Sequence, residues 1–181
     1  MSEMKIFSIH GYKGSAHNAA YGALFDCGYN VHSIQIDYDS ESPKTVLEKL
    51  HNEYITSGCH CLAGTSLGGF YAAQICALEH CPTLLINPCL LPFLVLPELG
   101  YVYNGGIWEF SEIFSGFTGL DKTLVSTVVG SEDEVVTTHC YTKAMLENER
   151  YYTVDGGKHS GATLPLREII TKHGKEIFPE G

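Results

Sequence analysis

Short apolar runs alternate with longer stretches in which apolar residues recur every three or four positions, from one end of the chain to the other. Lys5 to Ile9 reads as a first strand and ends on the tight loop His10-Gly11-Tyr12-Lys13-Gly14. Ala16, Ala19, Ala20, Ala23 and Leu24 share one face of a helix that Ser15 can cap and Gly28 can end. Val31 to Ile36 reads as a second strand, followed by the acidic loop Asp37-Tyr-Asp-Ser-Glu41. Ser42-Pro43 opens a helix with inner face Val46, Leu47, Leu50 and Tyr54, closed by Gly58. His60 to Ala63 is a buried strand that runs through Gly64 into a helix with Leu67, Phe70, Tyr71, Ile75 and Leu78 at helical spacing. Pro82 stops that helix, and Thr83 to Ile86 is the next strand. Leu124 to Val129 and Tyr151 to Val154 are strands, separated by a short helix over 138–147, and a last helix carries Leu166, Ile169, Ile170 and Ile177. Strands alternating with helices at this spacing predict one α/β domain over 1–181, with a mostly parallel sheet covered by helices on both faces. The exception is 88–120, an irregular, aromatic and glycine-rich segment long enough to be a short lid-like insertion.

The predicted strand-to-helix junction carries the chemistry. Gly64-Thr-Ser66-Leu-Gly68 spells G-x-S-x-G, the pattern of a nucleophile elbow, in which a strained turn lifts a serine hydroxyl above the sheet edge. Side chains at Gly64 and Gly68 would block the close strand–helix approach such a turn needs. The bland alternative is a glycine-rich turn whose serine only caps the helix. Serine is a poor nucleophile without a base, and the base needs an orienting carboxylate. Asp133 and His159 supply both, each in a glycine-containing turn after a strand, in the order Ser66, Asp133, His159 expected of an α/β-hydrolase triad. The helix start would also offer the Leu67 amide to an oxyanion, and the loop after the first strand the Tyr12 amide, with His10 and Gly11 supporting that loop. His51, His80, His139 and His173 fall on helices or at their ends and read as surface residues.

Composition narrows the classes. The chain has 181 residues, 44% of them hydrophobic, and a net charge of −10. The absence of any Lys/Arg cluster argues against nucleic acid as a partner, and no apolar run reaches the length of a membrane span. The segment from Met1 to His10 is too short in its apolar part for a signal peptide. Seven cysteines in no paired spacing fit a reduced, cytoplasmic setting. Cys59-His60-Cys61 has no second ligand pair, which favours buried structural cysteines over a metal site. The glycine-rich turn lacks the lysine of a phosphate loop. No metal or cofactor is called for, and the oligomeric state is not fixed by the sequence.

Five stretches together resemble the small YqiA/YcfP-like esterases of the α/β-hydrolase superfamily: Ile9-His10-Gly11-Tyr12 with Gly14-Ser15, Gly64 to Ala72, Leu85-Ile86-Asn87-Pro88 with Pro92-Phe93, Asp133 to Val136, and Gly156-Gly157-Lys158-His159. The resemblance implies a Ser66–His159–Asp133 triad acting on small-molecule esters or thioesters, acyl-CoA among them. It departs at Leu91, where these proteins often carry arginine, so that an arginine contact to a charged substrate group is not expected. An acyl pocket would then draw on Asn87, Pro88, Leu90, Leu91, Trp108 and Phe110. Peptidase, lactonase or acyltransferase chemistry on the same triad, and a non-catalytic binding role on the same fold, stay open at the level of sequence.

Overall fold

A computed structural model describes residues 4–179; Met1, Ser2 and Glu3, which begin the segment read above against a signal peptide, lie outside the described residues. Its core is a six-stranded sheet formed by β1 (Lys5–Ile9), β2 (Asn30–His32), β3 (Cys61–Thr65), β4 (Thr83–Ile86), β5 (Val125–Gly130) and β6 (Tyr151–Val154) in the order β2-β1-β3-β4-β5-β6. Every pairing is parallel. The period-two alternation of the strands divides the core into two layers. Phe7, Ile9, Leu62, Leu85 and Val125 face one side, with Val46 and Leu50 of α2 (Pro43–Thr56), Phe70 and Ile75 of α3 (Leu67–Glu79), and Phe110 of a later helix. Ile6, Cys61, Ala63, Leu84, Ile86 and Val128 face the other, with Ala20 and Leu24 of α1 (Ala19–Asp26) and Leu166, Ile170 and Ile177 of α7 (Leu166–Ile177).

Three expectations are corrected. The first helix is capped by Asn18, whose side chain accepts from the Tyr21 N–H, rather than by Ser15. The second strand ends at His32, because the chain beyond it leaves the sheet for other partners: Ser33 Oγ donates to Ser8 O at 2.8 Å, and Ile36 N–H donates to His10 Nε2 at 2.9 Å. The segment 88–120 is not irregular. It holds α4 (Pro92–Val95), α5 (Gly106–Phe114) and a 3-10 turn over Ser115–Gly119, and it is fixed to the domain by Phe110, whose fully buried ring packs at 5.5 Å edge-on to Phe70. α6 (His139–Leu146) links β5 to β6, close to the expected range.

Candidate active site

The strand order reverses between β1 and β3, and in such sheets functional residues lie beyond the strands' C-terminal ends at this point. Ser66 lies there, directly after β3. Its backbone is in the left-handed region, φ 52° and ψ −121°, a conformation that costs a non-glycine residue free energy and that the surroundings must enforce. Three hydrogen bonds hold it: Ser66 N–H donates to Ile86 O at 3.0 Å, and Ser66 O accepts from Gly69 N–H and Cys89 N–H at 2.9 Å each; beside it Asn87 N–H donates to Val128 O at 2.8 Å. A Cβ on Gly68 would lie 2.2 Å from Ile9 O, so only glycine lets α3 approach β1 this closely. The Ser66 side chain makes no capping hydrogen bond to α3, so its hydroxyl is not spent on the helix.

The loop after β1 abuts the serine: a Cβ on Gly11 would come within 2.9 Å of Ser66 Cβ. His10 holds that loop. Because Ile36 N–H donates to Nε2, the proton sits on Nδ1, which donates to Gly11 O at 2.7 Å. Burial lowers the His10 pKa, keeping the ring neutral in this role. Tyr12 fastens the loop outward. Its hydroxyl donates to the Asp39 carboxylate at 2.9 and 3.0 Å, and burial and Asp39 push its pKa up to about 12. Asp39 Oδ1 also accepts from Val102 N–H at 3.3 Å, tying the same cluster to the segment after α4.

Asp133 follows β5 and His159 follows β6. His159 Nδ1 lies 3.0 and 2.9 Å from the two Asp133 carboxylate oxygens, which directs its Nε2 away from the acid. Asp133 Oδ1 further accepts from the Val135 and Val136 N–H groups at 2.9 and 2.8 Å. Burial alone would push the Asp133 carboxyl up; hydrogen bonds from His139, His159 and the Val136 N–H outweigh it and hold it well below the usual carboxylate range. The acid is therefore an anion under any ordinary condition.

Two residues have roles that the sequence reading did not assign. His139 was read as a surface histidine, yet its Nε2 lies 2.8 Å from Asp133 Oδ2 and its side chain is only 14% exposed, because the first turn of α6 packs over the acid. Its signal was the spacing: a histidine six positions after the acid, at the first position of the next helix. Asn87, assigned above to an acyl pocket, is fully buried with a positive φ of 41°. Its Oδ1 accepts from Gly130 N–H at 2.8 Å, and its Nδ2 donates to the carbonyls of Lys158 and His159 at 2.9 and 3.0 Å. The end of β4 thus clamps the end of β5 to the histidine loop. The other residues read as a pocket are placed as follows. Leu90 and Phe110 are packed into the core, Pro88 lies against Gly69, Leu91 is buried, and Trp108 is 78% exposed.

Cys59 and Cys61 are buried and His60 is exposed, but Cys59 and His60 precede β3, and the two cysteines pack into opposite layers of the core rather than on one face of a strand. No helix among the described residues is long and apolar enough to cross a membrane.

Solved structures share this architecture. An α/β serine hydrolase homologue from Coxiella burnetii is 19% identical, with 95% of this chain and 85% of that chain covered and a TM-score of 0.57. A monoacylglycerol lipase from Paleococcus ferrophilus is 12% identical over 93% of this chain and 94% of that chain, with a TM-score of 0.66. An esterase from M. tuberculosis is 14% identical over 96% and 85%, with a TM-score of 0.64. Identities this low establish a shared α/β-hydrolase fold. No curated protein matches the chain in sequence. A family model does, over residues 5–113, a span that holds the Gly11 loop, Ser66 and Asn87 but stops before Asp133 and His159. On that match the chain belongs to the uncharacterised protein family UPF0227, the YqiA/YcfP-like group of the α/β-hydrolases.

Proposed function

We propose that this protein hydrolyses carboxylic esters, and thioesters such as acyl-CoA, through an acyl-enzyme on Ser66. One observation carries the reading: a serine held at φ 52° at a helix N-terminus, its hydroxyl free of any capping bond, shares a sheet edge with a histidine–carboxylate pair. On this reading His159 Nε2 takes the Ser66 proton as Oγ attacks the acyl carbon. The Leu67 and Tyr12 amides, with the α3 dipole behind the first, hold the oxyanion. Collapse expels the alcohol or thiol, which leaves with the proton from His159. Water, deprotonated by the same nitrogen, then attacks the acyl carbon, frees the acid and returns the proton to Ser66. The chain's esterase and lipase fold neighbours support an ester substrate class. A fluorophosphonate probe should label the wild type and leave Ser66→Ala unlabelled; equal labelling of both would remove Ser66 from the role. A chain-length series of p-nitrophenyl esters run beside acyl-CoAs then separates ester from thioester preference, and turnover of neither would return the chain to a binding role.

A further inference from the structure

The Asp133 carboxylate has two imidazoles on it, where the hydrolase mechanism uses one. His159 Nδ1 spans both oxygens, and His139 Nε2 approaches Oδ2 at 2.8 Å from the opposite element, the start of α6. Asp133 is 1% exposed and His139 14%, so neither interaction is diluted by solvent as a surface ion pair would be. Since the carboxylate only accepts, His139 Nε2 must carry a proton and donate; its Nδ1 lies 3.4 Å from Thr142 Oγ1. We propose that His139 is a positioning residue of the active site, holding the acid from behind and drawing part of its negative charge away from His159. Granted that Ser66 hydrolyses esters, this sets the pH at which the enzyme switches on, because His159 works only when neutral and a carboxylate shared with a second donor stabilises its charged form less.

The surroundings leave His139 as the group that matters. Glu134, exposed and accepting from the His159 N–H at 3.2 Å, faces the other side of the pair. Lys143, on the same helix, is engaged with Glu147 at 3.4 Å. Cys140 on α6 and Tyr151 on β6 line the cleft that His139 borders, and burial pushes the Tyr151 hydroxyl up to about 12, so it stays neutral.

The sign of the effect is the same whether His139 is neutral or charged. Removing it returns acceptor strength to Asp133, which then holds the charged form of His159 more strongly. In His139→Ala the ascending limb of kcat/KM for a p-nitrophenyl ester should move up by about half a pH unit to one unit, with the plateau down roughly tenfold. His139→Gln keeps a neutral donor and should bring the limb most of the way back. If His139 only fastens α6, His139→Ala lowers the melting temperature and leaves the limb where it was, which overturns the proposal. Should the alanine variant fail to fold, 15N-histidine NMR of the wild type reads the same coupling. Interdependent midpoints for the two imidazoles support the proposal, and independent single titrations refute it. An absence of ester turnover in the wild type would refute the hydrolase reading instead, and the NMR arm still decides the coupling.

Discussion

Asn87 offers the sharpest quantitative test, because one side chain binds three backbone groups from two other strand ends. Its site is fully buried, so the Gly130 N–H loses its partner when the carboxamide is deleted and no water replaces it at once. That unsatisfied donor costs about 1–3 kcal/mol, and the two bonds to the histidine loop add roughly 1 kcal/mol more between them, since loop carbonyls nearer the surface recover hydration. Asn87→Gly keeps the backbone at φ 41° comfortable and should lose about 3 kcal/mol. Asn87→Ala should lose roughly 1 kcal/mol more than Asn87→Gly, because alanine lacks asparagine's tolerance of the left-handed region. Asn87→Asp retains an acceptor for Gly130 N–H but turns an oxygen toward two carbonyls, releasing the loop that carries His159. Urea unfolding gives the stabilities, and kcat/KM for a short p-nitrophenyl ester gives the site. All three variants should lose more than tenfold in kcat/KM, Asn87→Asp most relative to its stability. If Asn87→Gly unfolds within about 0.5 kcal/mol of wild type and hydrolyses normally, the clamp does not hold the histidine loop.

Other outcomes follow from the same geometry. Gly11→Ala puts a Cβ 2.9 Å from Ser66 Cβ and should cut fluorophosphonate labelling at least tenfold while the circular dichroism spectrum stays native; undiminished labelling would show that the β1 loop has room to give. Phe110→Ala should cost about 3–5 kcal/mol in urea, whereas Trp108→Ala, at 78% exposure, should stay within about 0.5 kcal/mol; similar losses for both would mean that α5 packs differently. His10 has a folded-state pKa below its ordinary value, so the unfolded chain takes up a proton first as the pH drops. Its contribution is complete above about pH 6.5 and declines below it. The gap in melting temperature between wild type and His10→Gln should therefore narrow from pH 8 to pH 5, and a constant gap would contradict a buried neutral ring.

Much of this was legible in the residues, for identifiable reasons. The strands are short apolar runs bounded by glycine or proline, and the glycines around Ser66 mark a close approach that only glycine permits, so the sheet and the tight turn at Ser66 could be read. What escaped depends on contacts between segments far apart in the chain. Val31 to Ile36 has the alternation of a longer strand, but Ser33 finds a partner on β1 itself and Ile36 one in the loop after it, which the pattern does not encode. His139 looks like a helix-surface residue until the turn after β5 folds the helix start over Asp133. Asn87 precedes a proline after a strand, which reads as a turn, and its three bonds appear only when β5 and the His159 loop lie beside it. The aromatic residues of 88–120 suggest a pocket by composition, whereas Phe110 serves the core and Trp108 faces solvent.

The strand order has a consequence for when the molecule becomes active. Ser66 sits at the middle of the sheet, while Asp133 and His159, the proposed acid and base, follow β5 and β6 on one side of it. A chain with β1 to β4 paired and the last two strands undocked already contains the strained serine, but nothing to deprotonate it. If Ser66 is the nucleophile proposed above, its hydroxyl would stay unactivated through early folding, when non-local pairings are still being made. On the proposed mechanism, competence would come with the final edge strand, and completion of the sheet would take the place of a separate inhibitor in the incomplete chain.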